Sequence, residues 1–204
     1  MPVRFEYDFD KAFAAIVYLA SKPDLVPEFD KLKAAKLLFL ADKYHLVRYG
    51  RPILGDYYRA LTYGPVPQAT MDFLHAVLDP EGKGTFVDES KARRLAEALE
   101  VDRGFKYPRL SAKEPLNFSD FLSKSDLAAL DHIISAYGKR SSIELSALTH
   151  AIPAYLNAWQ SKGKLSSTAD MNYEDFFEED PDAVDGAFEE MLENDELRKA
   201  FSVG

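Results

Sequence analysis

Cysteine is absent from this 204-residue chain. That excludes disulfides, thiolate zinc sites and cysteine nucleophiles together, and it suits a cytoplasmic protein. No apolar run approaches the roughly 20 residues that a membrane span needs, so no membrane association is expected. The N-terminus, Met1-Pro2-Val3-Arg4-Phe5-Glu6-Tyr7-Asp8, carries charges at short intervals and lacks the apolar core of a signal peptide. Positive charge is in deficit, with 25 Lys and Arg against 34 Asp and Glu and a net charge of −9. A protein whose main task is to grip a phosphate backbone is ordinarily basic. Histidine is scarce, and none of His45, His75, His132 and His150 stands three or four residues from another. With no H-E-x-x-H and no aspartate-rich loop, no metal site is expected. Glycine-rich phosphate loops and the G-x-S-x-G elbow are missing as well, so neither a cofactor nor a catalytic residue is assigned.

What is present is a globular composition, 47% apolar and 29% charged. The acidity is concentrated at one end. From 171 to 204 there are twelve acids against two bases, which leaves a balance of +1 over residues 1–170. The chain therefore reads as a compact helical body over 1–160 and an acidic helical extension over 161–204.

Apolar spacing predicts a helix beginning after Asp8 or Asp10 and a second from near Asp30 to Tyr49. The second has five apolar residues in a row, Leu37 to Ala41, and so belongs between neighbours on more than one face. Gly50 stands where a left-handed cap is wanted, and Pro52 follows. Aromatic residues between Tyr57 and Tyr63 predict a short strand, and Gly64-Pro65-Val66-Pro67 reads as punctuation. A helix through Met71 to Leu78 follows, then a short strand at Thr85-Phe86-Val87 and a helix capped by Asp88. Residues 101–117 read as a loop or small hairpin, with Gly104 to Tyr107 able to pair. Further helices carry Leu127 to Tyr137, and Leu145 to Ile152 behind a Ser141–Glu144 capping box, with Pro153 interrupting. A last helix is expected from Asp180-Pro181, with Val184, Phe188, Met191 and Leu192 on its apolar side. The fold class is mainly α with a small β element.

Three constellations bear on function. Asp42 and His45 lie three residues apart on one helix face. They fit a structural polar contact or, together with His150, the core of an unidentified hydrolase. Lys83, Lys91, Arg93, Arg94, Arg103, Lys106 and Arg109 cluster in mid-chain with Phe105 and Tyr107 between them. That pattern fits phosphate contacts in a DNA-binding regulator, or a solvated face near an acidic tail. The segment from Tyr44 to Pro67 holds Tyr44, Tyr49, Tyr57, Tyr58 and Tyr63 with three prolines. Tyrosine offers large contact area at low entropic cost, which suits protein recognition; it equally suits a core edge bracing a tight turn. Candidate partner contacts are Tyr57, Tyr58, Arg59, Tyr63, Arg103, Phe105 and Tyr107.

At that segment Lys36-Leu37-Leu38-Phe39-Leu40-Ala41-Asp42, then Tyr49-Gly50-Arg51-Pro52-Ile53, Gly55-Asp56, Tyr58, Ala60 and Tyr63-Gly64-Pro65-Val66 together resemble the Panacea domain, or SocA-like antitoxin family. Leu145 to Thr149-His150 resembles a second signature, with Trp159 beyond it, and the likeness spans roughly residues 10–160. One departure is Ala154-Tyr155 after Pro153, where the family more often has tryptophan. Mapped on this chain, the motif residues are Lys36, Leu38, Asp42, Tyr44, His45, Gly50, Pro52, Gly55, Asp56, Tyr58, Tyr63, Gly64, Pro65, Thr149 and His150. The resemblance implies a mostly helical bacterial or phage domain, commonly encoded beside a toxin, that neutralises the toxin by binding it. In at least one type it presents the toxin to a AAA+ protease as an adaptor. No catalytic activity is implied. Asp42, His45 and Thr149-His150 are then expected to share an internal polar network, and toxin choice is expected to reside partly in the acidic extension.

Overall fold

The computed structural model describes residues 2–79, 87–114 and 116–201. Helix α1 (Phe9–Ala20) is capped by the Asp8 carboxylate, which accepts from the Lys11 N–H. Helix α2 (Lys31–Tyr49) is capped the same way by Asp30 and closes on Gly50 in the left-handed conformation, φ 63°. The apolar run Leu37 to Ala41 is buried throughout. Other elements pack around α2 on several sides, as an all-round apolar stretch requires.

Strands β1 (Tyr58–Leu61) and β2 (Gly64–Pro67) form an antiparallel hairpin, with Tyr58 opposite Pro67 and Ala60 opposite Pro65. The expectation that Gly64 to Pro67 only breaks the chain is corrected here. The Gln68 N–H donates to the Tyr57 carbonyl at 3.1 Å, which sets the ladder phase. Pro65 and Pro67 therefore occupy outward-facing sites on an edge strand, where a missing N–H breaks no ladder bond.

Helices α3 (Gln68–Leu78) and α4 (Glu89–Ala98, capped by Asp88) follow. The strand expected at Thr85 to Val87 falls largely outside the described residues. A second hairpin pairs β3 (Leu99–Asp102) with β4 (Arg109–Ala112). Gly104 to Tyr107, expected to pair, instead form the turn between them; the strands lie on either side.

Helix α5 (Lys124–Tyr137) opens on a Ser123–Asp126 capping box, and α6 (Ser142–His150) on the expected Ser141–Glu144 box. Pro153 splits the helical pattern in two by starting α7 (Pro153–Ser161) at its first position, where its missing N–H costs nothing. Strand β5 (Ala169–Asp170) then pairs with β1 and completes a sheet of order β2-β1-β5.

The last helix, α8 (Ala187–Phe201), starts later than Asp180-Pro181, because residues 180–186 are spent on turns. Its inner face is Ala187, Met191 and Asp195, whereas Val184, Phe188 and Leu192 are exposed. The C-terminal segment shares the main core: Met171, Tyr173 and Phe176 are buried, and the Phe176 ring meets Phe39 and Tyr58 edge-on at 5.4 and 5.6 Å. Its carboxylates are not all solvated. Asp195 is 3% exposed, accepts from the Arg4 N–H and pairs with Arg198 and Lys199, while Asp180 pairs with Lys43.

Candidate functional site

Many of the motif residues, Lys36, Asp42, Asp56, Thr149 and His150 among them, lie in or around the β1–β2 hairpin. At its base, Asp42 projects from α2 with no exposed surface and accepts from the Ile53 and Leu54 N–H groups and the Tyr58 hydroxyl, each at 2.9 Å. Burial pushes its carboxyl up to about 7, against the pull of these donors. Burial and the adjacent Asp42 carboxylate hold the Tyr58 phenol well above its ordinary range. Tyr58 is 2% exposed, so it braces the turn; as a partner contact it is corrected. Asp56 accepts from the Ala69 and Thr70 N–H groups at 2.9 and 2.8 Å. It thereby caps α3, whose own N-cap residue, Pro67, has no side-chain acceptor. Burial lifts the Asp56 carboxyl to about 6. The Tyr173 hydroxyl donates to the Asp56 carbonyl, tying the C-terminal segment to this turn.

The hairpin tip is braced by side chains from three helices. Lys36 Nζ of α2 donates to the Pro65 carbonyl at 2.8 Å, and Ser146 Oγ of α6 to the Tyr63 carbonyl at 2.8 Å. His150 Nε2 meets the Thr62 carbonyl at 3.0 Å, and Tyr155 Oη of α7 donates to the Leu61 carbonyl at 3.0 Å. Three carbonyls within five residues thus gain donors from outside the hairpin, and the His150 ring, whose Nδ1 also meets the Ser146 carbonyl at 2.6 Å, lies against a fourth. Gly64 lies beneath the tip at φ 97°, and a Cβ there would stand 2.8 Å from Lys36 Nζ and 3.0 Å from Thr149 Oγ1. Lys36 is fully buried and has no carboxylate partner among the described residues; burial lowers its amine to about 7. A buried amine without a counter-ion is costly, and it is spent here on one carbonyl.

The expected shared network does not form. His45 lies elsewhere, with Nδ1 at 2.7 Å from the Arg51 carbonyl and Nε2 at 3.0 Å from Ser125 Oγ. Burial lowers it to about 4, so the imidazole is neutral and its 3.2 Å approach to Asp126 is a dipolar contact, not an ion pair. Asp126 takes its counter-charges from Arg51 and Lys11, each at 3.1 Å. Thr149 bonds back to the Leu145 and Ser146 carbonyls of its own helix. Asp42, His45 and His150 therefore serve three separate purposes, each bound to its own partners.

The remaining motif positions are structural. Leu38 is buried, Tyr44 stacks on His132 at 4.2 Å, and Pro52 and Gly55 line the buried turn before β1. Among the candidate contacts, Tyr57 and Tyr63 are exposed at 44% and 69%. Arg59 pairs with Asp170 at 3.4 Å. At the second hairpin Phe105 and Tyr107 are exposed, while Arg103 donates to the Leu78 carbonyl at 2.7 Å. Much of the mid-chain basic cluster is already engaged: Arg94 pairs with Asp10, and Arg109 pairs with Glu28 at 2.6 Å while lying 3.5 Å over the Phe105 ring. Lys83 lies outside the described residues. Sequence reasoning gave no role to Tyr155 and missed Asp126, although Ser123-x-x-Asp126 is a capping pattern that would have placed the latter.

Among the described residues, no group of three or more His, Asp or Glu side chains is arranged to hold a metal, and no helix is long and apolar enough to cross a membrane. Neither the curated proteins nor the solved structures yielded a match to this chain. A family comparison did, over residues 35–155, which runs from the start of the α2 motif to the Tyr155 that braces the hairpin. That match supports an antitoxin-type role, with a toxin as the general class of partner. The chain belongs to the antitoxin SocA-like family and carries its Panacea domain.

Proposed function

We propose that this protein is a non-enzymatic antitoxin that neutralises its toxin in the cytoplasm by covering the toxin's active surface. The observation that carries this reading is the braced hairpin. Signature residues Lys36, Ser146 and His150 lie against the carbonyls of a short loop and leave Tyr63 in solvent at its tip. A pre-set loop loses little entropy on binding, so contact energy passes into affinity. The ionisable motif residues Lys36, Asp42, His45 and Asp56 are buried and bonded, which is the use a scaffold makes of them. Direct binding needs no protease, and the adaptor role remains a variant of this reading.

Co-expression with the product of the neighbouring reading frame tests it. Growth is expected to be restored and the two proteins to co-purify, equally in cells lacking AAA+ proteases. Growth arrest despite folded protein would refute neutralisation. A gel shift on the protein's own upstream DNA addresses the regulator reading, and no retardation at micromolar protein is expected.

A further inference from the structure

Outside the braced hairpin, the exposed face of α6 has no assigned purpose. Ile143 is 79% exposed, and Ala147, one turn on, is exposed too. Ser146, on the same helix, holds the Tyr63 carbonyl, so the 69% exposed Tyr63 stands beside this face. At the N-terminal end of α6 the face opens into a groove of about 480 Å³ between α5 and α6, lined by Leu25, Ile134, Lys139, Arg140 and Glu144. Leu25 is 46% exposed.

The groove's charge identifies what it takes. The Glu144 carboxylate is occupied by the N–H and hydroxyl of Ser141, both at 2.8 Å, which hold it below the usual carboxylate range. Lys139 and Arg140 make no ion pair among the described residues. Two cations and one carboxylate, Glu144, which Arg140 also helps to draw down, thus border a groove of mixed polar and apolar lining, leaving a surplus of one positive charge on a chain of net charge −9. A surplus of one positive charge at the end of this face is too little to track a phosphate backbone, which needs a run of cations. That surplus suits a carboxylate beside an apolar anchor.

We infer that the partner surface runs along α6 from Tyr63 through Ala147 and Ile143 to the groove of Leu25, Lys139 and Arg140. It takes a protein segment in which an apolar side chain neighbours a carboxylate. The assignment deepens the toxin-binding reading and rests on it for the partner's identity, but its chemistry can be tested separately. Association depends on salt through the two cations and is driven by the apolar stretch between them and Tyr63.

Two measurements decide it. Isotope-labelled full-length protein is titrated with a short peptide of leucine, phenylalanine and glutamate, and with the same peptide bearing lysine for glutamate. Saturable shifts are expected at Tyr63, Ile143, Ala147 and Arg140, with the lysine peptide and the Ile143→Glu and Arg140→Glu variants about tenfold weaker. These positions are exposed, and unchanged melting temperatures would show the variants folded. No saturation at millimolar peptide, shifts confined to the 103–107 turn or α8, or equal affinity for the lysine peptide would overturn the assignment. So would an oligonucleotide that occupies the same residues more tightly.

The second measurement is growth rescue from the neighbouring gene's product. If the unmodified protein rescues and both variants rescue equally well, the surface is wrong and the antitoxin reading stands. If the variants lose rescue, the surface is supported. If the unmodified protein fails to rescue, the antitoxin reading falls and the titration alone judges the surface.

Discussion

The two hairpins have the same plan, a pair of four-residue antiparallel strands, and are held in opposite ways. The β1–β2 tip is fixed by buried side chains from three helices, and one of these is a lysine with no counter-ion among the described residues. The β3–β4 turn is held at the surface, by Asp102 accepting from the Gly104 N–H and by the exposed Arg109–Glu28 pair. Hydrogen bonds from buried side chains fix a position and are expensive to break, whereas a solvated ion pair contributes little. Of the two hairpin turns, the one held by buried side chains is the one whose position matters more.

Substitutions can break this contrast, and the largest effect is expected at its root. Asp42→Ala strands two buried N–H groups and the Tyr58 hydroxyl, and should cost about 3–5 kcal/mol in a urea unfolding curve. Gly64→Ala comes next, at about 2–3 kcal/mol, because alanine must adopt φ 97° while its Cβ crowds Lys36 and Thr149.

Lys36→Met sharpens the comparison through pH. The Lys36 amine titrates near 7 when folded and at its ordinary 10.5 when unfolded. Between those values the unfolded chain binds the extra proton, so stability rises with pH, by up to about 1.4 kcal/mol per pH unit. The variant should lose that slope, read as the difference between the two proteins' urea midpoints from pH 7 to 10. Lys43, which burial lowers to about 8, contributes in the same direction to both proteins and cancels. The smallest effect belongs to the second hairpin. Glu28→Gln should cost under about 1 kcal/mol and vanish in high salt, measured by thermal melting. A larger loss there would erase the distinction.

Much of the fold was legible because its signals are local. Asp8, Asp30, Asp88 and Ser141 each announce a helix start through a side chain that reaches the next turn, and Gly50 announces an end. β2 was hidden by its prolines, which read as breakers until the edge position of the strand is known. The C-terminal packing was hidden because Met171, Tyr173 and Phe176 are scattered among acids on turns and a short 3-10 segment, with no period to follow. The brace was hidden for a different reason. Its side chains, Lys36, Ser146, His150 and Tyr155, have identities that a sequence displays. Their acceptors are carbonyls, which every residue carries, so no composition or spacing reveals which ones are chosen.

The late strand β5 has a consequence for synthesis. β1 leaves the ribosome more than a hundred residues before Ala169 and Asp170 arrive to pair with it. At ordinary elongation speeds that delay is roughly 5–20 s, during which Tyr58 to Leu61 keep one row of main-chain groups open. A nascent chain in that condition is a target for holding chaperones and for stray strand pairing. Ribosomal pausing just ahead of residue 169 would therefore lower the yield of usable protein without altering a single contact in the finished molecule.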